Sequence, residues 1–366
     1  MPIFAAHPPY IWITLLVYFI IAFALSVLAN ALFLRLLRHL GTTRPAGKET
    51  IRWAAQSKPT IGGFGFFIVF TVACLFGALW IMRKNEPITT EILGCYIATL
   101  VGFMVGLIDD LQHTSPYFKL VGQVVCALIL LLTGVVIPLS SIFWLNAIVT
   151  IVWVVGIMNA INMLDNMDGI TASVSVMIIV AVMQVLIQQG LFTSFYSVVS
   201  LGVLGGILGF LYFNWHPSRL YMGDSGSQFL GVFLSFISIK YLWSFRPAPD
   251  SLFALQQFLL PAVAFLLPIV DTTTVVFRRM ARRQSPFQGG RDHTTHHLAY
   301  CGLNDRQVAQ TFVVLSAISV LIATWITMEL LANKWNNFKT ALIVGYIMLV
   351  FVVMQYFYEK GKQKSR

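Results

Sequence analysis

The sequence predicts an all-α polytopic integral membrane protein, and three observations carry that prediction. Of its 366 residues 58% are hydrophobic and only 10% are charged. The mean hydropathy is +0.79. The apolar residues fall into runs of roughly 17 to 25, the length a helix needs to cross a bilayer. An ordinary soluble domain is excluded, and the whole chain, 1–366, reads as a single transmembrane domain.

Eleven runs follow one another, at about 11–34, 61–82, 91–107, 118–137, 142–159, 170–188, 195–213, 228–243, 255–277, 311–332 and 338–358. The first has no basic leader and is too long for a signal-peptide core, so it reads as a retained span. Three basic clusters punctuate the series. Arg35, Arg38, Arg44, Lys48, Arg52 and Lys58 lie between the first two runs, Arg278, Arg279, Arg282, Arg283, Arg291 and Arg306 after the ninth, and Lys360, Lys362, Lys364 and Arg366 in the tail. The positive-inside rule places all three in the cytoplasm, and an odd number of spans puts the N-terminus outside. The net charge of +10 then gathers where anionic headgroups are found, which implies a multi-pass protein of the inner (cytoplasmic) membrane and no nucleic-acid partner. Cys74, Cys95, Cys126 and Cys301 have no metal-ligand spacing, so neither zinc nor a disulfide is expected.

The same face collects the chemistry. Asp109, Asp110, Asp165, Asp168, Asp224, Asp271 and Asp292, with His113, His216, His293, His296 and His297, all map to cytoplasmic span ends or loops. A carrier of anionic or lipid-linked substrates is the alternative from another class. It would more typically place its acids near the midplane in broken helices with an internal repeat.

Four stretches hold these residues. In Asn159 to Gly169, Asn159, Asn162, Asp165 and Asp168 recur every third residue and, read as helix, form one polar stripe; Asn166 lies off it and is expected to tolerate Ala. An ionised Asp at the centre of a span costs on the order of 2.5 to 3.5 kcal/mol, so such a pair belongs at an aqueous edge, against a partner or on a cation. Asp109 and Asp110 close the third run and point in different directions on a helix. Gly223 and Gly226 flank Asp224 and Ser225, which suits a tight turn whose backbone N–H groups can hold phosphate beside an acid-bound cation. The loop Gly289 to His297 sets three imidazoles beside Asp292 and Arg291. Hard Mg2+ prefers oxygen, so the imidazoles are read as contacts to pyrophosphate oxygens, with a transition-metal site as the alternative. Several acids, imidazoles and a ring of cations are the inventory of phosphoryl transfer. Neither a Gly-x-Ser-x-Gly elbow nor His-Glu-x-x-His is present.

Taken together, these stretches resemble the polyprenyl-phosphate N-acetylhexosamine-1-phosphate transferases. The likeness also runs through Pro59 to Gly63, Lys119 to Gln123 and Pro268 to Asp271, and so covers nearly the whole chain. It implies a Mg2+-dependent (alternatively Mn2+-dependent) exchange in which undecaprenyl phosphate attacks a UDP-N-acetylhexosamine, giving lipid-diphosphate-sugar and UMP. It also implies catalytic roles for Asp109, Asp110, Asp165 and Asp168, and metal binding by Asp224 with Asp165. Substrate contacts are implied for Asn159, Asn162, Asn214, Tyr221, Lys119, Arg291, His293, His296 and His297. The phospho-MurNAc-pentapeptide branch carries three consecutive histidines and a Lys after its Asp-Asp pair. Here the sequence reads His293-Thr294-Thr295-His296-His297 and Leu111-Gln112-His113. Both departures point to the branch that starts surface or cell-wall glycans, usually with UDP-GlcNAc, and leave the MurNAc-pentapeptide reaction as the alternative. The apolar faces leave homodimerisation open.

Overall fold

The computed structural model describes residues 9–39, 58–246, 255–285 and 290–364. Arg44, Lys48, Arg52, Gly289 and Arg366 lie outside the described residues, as does the side chain of Arg38. Among the described residues the regular structure is helical: α1 (Pro9–His39), α2 (Gly62–Met82), α3 (Thr90–Gln112), α4 (Pro116–Leu132), α5 (Phe143–Leu164), α6 (Ile170–Gln188), α7 (Phe195–Asn214), α8 (Gly223–Ser238), α9 (Leu255–Ala264), α10 (Leu266–Ala281), α11 (Thr294–Tyr300), α12 (Asp305–Leu331) and α13 (Asn337–Lys364). Eight of these are long and apolar enough to cross a membrane, and α9 with α10 makes a ninth candidate bent by 78°. The protein is therefore a polytopic helical membrane protein.

Two of the eleven expected spans depart from that pattern for different reasons. Helix α4 is apolar but only 17 residues long. Helix α8 has 16 residues, continued by the π-helical turn Ile239–Trp243, and every residue of α8 except Asp224 is buried. A helix covered by protein on all sides has no need of lipid-facing Leu and Val. It carries Ser225, Gly226, Ser227, Gln228, Gly231, Ser235 and Ser238, whose small or hydrogen-bonded side chains let neighbours approach. A Cβ on Gly102 or Gly106 of α3 would fall within 2.7 Å of Val232 or 2.2 Å of the Asp224 carbonyl, and one on Gly63 of α2 within 2.4 Å of the Gly226 nitrogen. Close backbone contact thus fixes the height of Asp224 against α2 and α3.

The break between α9 and α10 has a chemical cause. Pro268 has no N–H to give the Ala264 carbonyl, and the chain turns there at Phe265. At helix starts the sequence supplies side-chain acceptors: Ser115 caps α4 with Pro116 following, Ser194 caps α7, and Asn304 and Gln307 form a reciprocal capping box on α12. Lys240, a cation outside the three basic clusters, pairs with Glu91 and lies 4.9 Å from the Tyr196 ring centre.

Candidate active site

A polar cavity of about 600 Å3 opens where α3, α4, α5 and α8 meet the 165–169 turn, the 214–222 loop and the start of the histidine segment. Its centre is a chain of charges. Lys119 of α4 places its ammonium 2.6 Å from Asp109 Oδ2 and 3.1 Å from Asp224 Oδ2. Asp109 also accepts from the backbone N–H and the hydroxyl of Thr114, at 2.9 and 2.5 Å. Asn162 donates to Asp224 Oδ1 at 2.5 Å and to Ser227 Oγ at 2.9 Å. Asp224 is therefore held from two sides, by a cation and by an amide. Behind them Gln123, buried, bonds both Asn159 and Gln228.

Asp110 has a different surrounding from its neighbour. Its two oxygens accept the backbone N–H groups of Asp224 and Ser225, each at 2.9 Å. That satisfies orphan donors at the start of α8 and sets a negative charge against the positive end of the helix dipole. Gly223, at φ +77°, makes the left-handed turn that aims those N–H groups at Asp110.

The polar stripe needs correcting. Helix α5 ends at Leu164, Asp165 is its C-cap, and Gly169 at φ +75° starts α6, so only Asn159 and Asn162 project from helix. Asp165 and Asp168 reach the cavity from a turn. Asp168 accepts from the Ser218 N–H at 2.9 Å and its hydroxyl at 2.8 Å, lies 3.2 Å from His216 Nδ1 and 3.7 Å from the Lys58 ammonium. Asn214 is buried, with its amide accepting from Gly169 N–H at 3.0 Å and donating to the Leu220 carbonyl at 2.9 Å. Both residues tie the 214–222 loop to the turn. Tyr221 lines the cavity with Lys58 over its ring at 5.1 Å.

Asn166 is the second correction. It lines the cavity and accepts from the Thr295 hydroxyl at 2.7 Å, joining the turn to α11. We expect Asn166→Ala and Thr295→Val each to lower turnover by up to about 10-fold, the scale of one hydrogen bond. Equal rates in both variants and the parent protein would remove this bridge from the account.

The histidine segment is set by buried pairs. Asp271 of α10, fully buried, bonds His293 Nδ1 at 2.8 Å and both the N–H and hydroxyl of Thr294, at 2.8 and 2.7 Å. Arg279 holds Asp292 through two bonds of 2.9 and 2.5 Å. Burial raises the Asp292 carboxyl, but the Arg279 guanidinium outweighs it and holds the group below the usual carboxylate range. His293 and His296 line the cavity; His297 and Arg291 do not. Burial first, and the neighbouring His293 second, push His296 down to about 3, so its imidazole is neutral at pH 7.

The structure thus brings twelve of the fourteen expected residues to one cavity: Asp109, Asp110, Lys119, Asn159, Asn162, Asp165, Asp168, Asn214, Tyr221, Asp224, His293 and His296. It adds Thr114, Gln123, Asn166 and Arg279; Gln123 and Asn166 lay in stretches, and Arg279 in a basic cluster, singled out by sequence, and Thr114 in none. Among the described residues no group of three or more His, Cys, Asp or Glu is preassembled as a metal cage. Asp109 and Asp224 share one cation, Lys119, and present only oxygen donors. A hard divalent ion that takes one or two carboxylates and completes its shell with water and phosphate fits such a pair.

Comparison with known proteins agrees with the resemblance read from the motifs. Residues 92–242, which run from α3 through α8, match the family described as "Glycosyl transferase family 4". A "Probable undecaprenyl-phosphate N-acetylglucosaminyl 1-phosphate transferase" of Bacillus subtilis is 26% identical over 91% of this chain and 90% of its own length. A decaprenyl-phosphate N-acetylglucosaminephosphotransferase of Mycolicibacterium smegmatis is 26% identical over 82% of this chain and 78% of its own. A phospho-N-acetylmuramoyl-pentapeptide-transferase of Enterococcus hirae is 25% identical over 86% of this chain and 98% of its own.

Proposed function

We propose, for a chain whose central helices match glycosyl transferase family 4, that it transfers a sugar 1-phosphate, N-acetylglucosamine 1-phosphate in the first instance, from a UDP-sugar to undecaprenyl phosphate. The observation that carries this reading is the Asp109–Lys119–Asp224–Asn162 chain, at one side of a cavity whose other walls bear neutral imidazole and Tyr221. The reaction starts a surface or cell-wall glycan at the inner membrane, with the cavity on the cytoplasmic face. The relatives named for phospho-MurNAc-pentapeptide transfer keep that sugar nucleotide as the second donor to be tried.

In the reaction an oxygen of the lipid phosphate forms a bond to the sugar-side phosphorus of the UDP-sugar, the bond to the UMP oxygen breaks, and UMP leaves. A phosphate monoester has its second pKa near 6, so at pH 7 the nucleophile is mostly dianionic and needs little help from a base. Lys119 offers the lipid phosphate a cation that Asp109 and Asp224 hold in place. His293, fixed by Asp271, and neutral His296 offer ring nitrogens to the diphosphate oxygens. Mg2+, or Mn2+ in its place, would be held by Asp224 with Asp109 or Asp165, and supplies charge neutralisation of the diphosphate. Asp110 and Asn214 act on geometry: one fixes the start of α8, the other the loop that carries Tyr221.

The test is release of UMP by purified protein given undecaprenyl phosphate, Mg2+ and each UDP-sugar in turn. No UMP from any donor, together with vesicle uptake of a sugar nucleotide, would replace the transferase with a carrier. Orientation has its own test. Single cysteines placed in 108–117, 160–169, 214–227 and 290–306 are expected to resist a membrane-impermeant reagent added from outside whole cells. Ready external labelling of any two of these segments would overturn the cytoplasmic face.

A further inference from the structure

His297, adjacent in sequence to a cavity residue, is turned away from the cavity and buried against the last helix. Its ring centre lies 3.8 Å from that of Tyr358 and 5.5 Å from that of Tyr300. Neither ring nitrogen makes a hydrogen bond. Burial pushes this imidazole down to about 4, as expected of a ring used for packing rather than for charge. One turn on from Tyr358, α13 carries Gly361, where a Cβ would meet the His297 carbonyl oxygen at 2.5 Å and its Cα at 2.9 Å. The contact is backbone against backbone, so no side-chain rotation can relieve an added methyl.

The same end of α13 is tied to α10. Arg278 donates to Gln355 Oε1 at 2.7 Å, pairs with Glu359, and lies 4.0 Å above the Tyr358 ring. Helix α11 has only seven residues, too few to be stable alone. Its place therefore depends on what it packs against: Asp271 and Asn166, which bond Thr294 and Thr295, and the end of α13, which covers His297.

We propose that the Tyr358–Gly361 turn of α13 is a positioning element for the reaction: by seating His297 it fixes α11, and with it His293 and His296 at the cavity. Tyr358 meets His297, Arg278 and Arg282, and Gly361 meets His297; none of these partners lines the cavity. The proposal rests on the transferase reading for its effect on rate, though not for the docking itself.

The test pairs turnover with hydrogen exchange of the backbone in 290–302. Gly361→Val and Tyr358→Ala are each expected to speed exchange in that segment and to lower kcat at least ~10-fold, the larger share of the loss falling in kcat and not in KM for the lipid. Tyr358→Phe keeps the ring and is expected to restore both readings to within about 2-fold of the parent. Unchanged exchange in both disruptive variants overturns the docking. Faster exchange with parental kcat overturns the positioning role. Faster exchange in the disruptive variants where the parent itself transfers no sugar phosphate supports the docking and overturns the transferase reading.

Discussion

Asp224→Asn is expected to lower turnover by at least ~100-fold, the scale on which loss of one preorganised electrostatic group is felt. The side chain is held by Lys119 at 3.1 Å and Asn162 at 2.5 Å, and it is the one residue of α8 that is not buried. Folding should hardly respond, because the bonds that start α8 run from the backbone of residues 224 and 225 to Asp110, and Asn preserves them. Dependence on divalent metal should weaken in step with the rate. Turnover within a few-fold of the parent at an unchanged Mg2+ requirement would move the metal to Asp165 and Asp168.

Gly106→Ala carries the second large effect, through geometry alone. The new methyl would lie 2.2 Å from the Asp224 carbonyl oxygen, 2.4 Å from its carbon and 2.6 Å from the Ser225 Cα, all backbone atoms. Helices α3 and α8 must separate, which stretches the Asp109–Lys119–Asp224 bridge and pulls Asp110 from the N–H groups it accepts. A misplacement of about 1 Å at reacting groups can cost ~100-fold in rate. Alanine is the better helix former by about 1 kcal/mol, so any loss is steric. Gly156→Ala on α5, where a Cβ meets nothing within 4 Å, is the matched control and should leave the rate alone. Parental turnover in Gly106→Ala would mean that the height of α8 does not matter to the chemistry.

What the sequence made legible follows from what lipid demands. Length and apolarity mark a helix that faces acyl chains, so the long exposed spans such as α1 and α13 were plain. Helix α8 faces protein, and its Ser, Gly and Gln composition weakened the same signal at the element most central to the site. Five of the seven acids and four of the five imidazoles placed at span ends or loops line one cavity; Asp271, Asp292 and His297 do not. The three-residue spacing from Asn159 to Asp168 misled because it runs unbroken from the end of α5 into a turn; Asp165-Asn166 and Asp168-Gly169 are turn-forming pairs that mark where the helix stops. His296 and His297 are neighbours on a helix and so point about 100° apart. That alone argues against both facing the cavity, and the structure assigns His297 to α13. Nothing local in sequence tells that Asn166 meets Thr295 or that Asp110 meets α8, since those partners lie 129 and 114 or more positions away.

The most direct test of the central claim follows the phosphorus. Purified protein would receive undecaprenyl phosphate, Mg2+ and UDP-GlcNAc carrying 32P at the sugar-side phosphate, with UDP-MurNAc-pentapeptide labelled in the same way as the parallel donor. Transfer of a sugar 1-phosphate predicts that the label passes into the organic-soluble lipid as unlabelled UMP appears, one for one, and that Asp224→Asn abolishes both. Label that stays in the aqueous phase as UDP while sugar enters the lipid, or that never leaves the donor, would contradict the account.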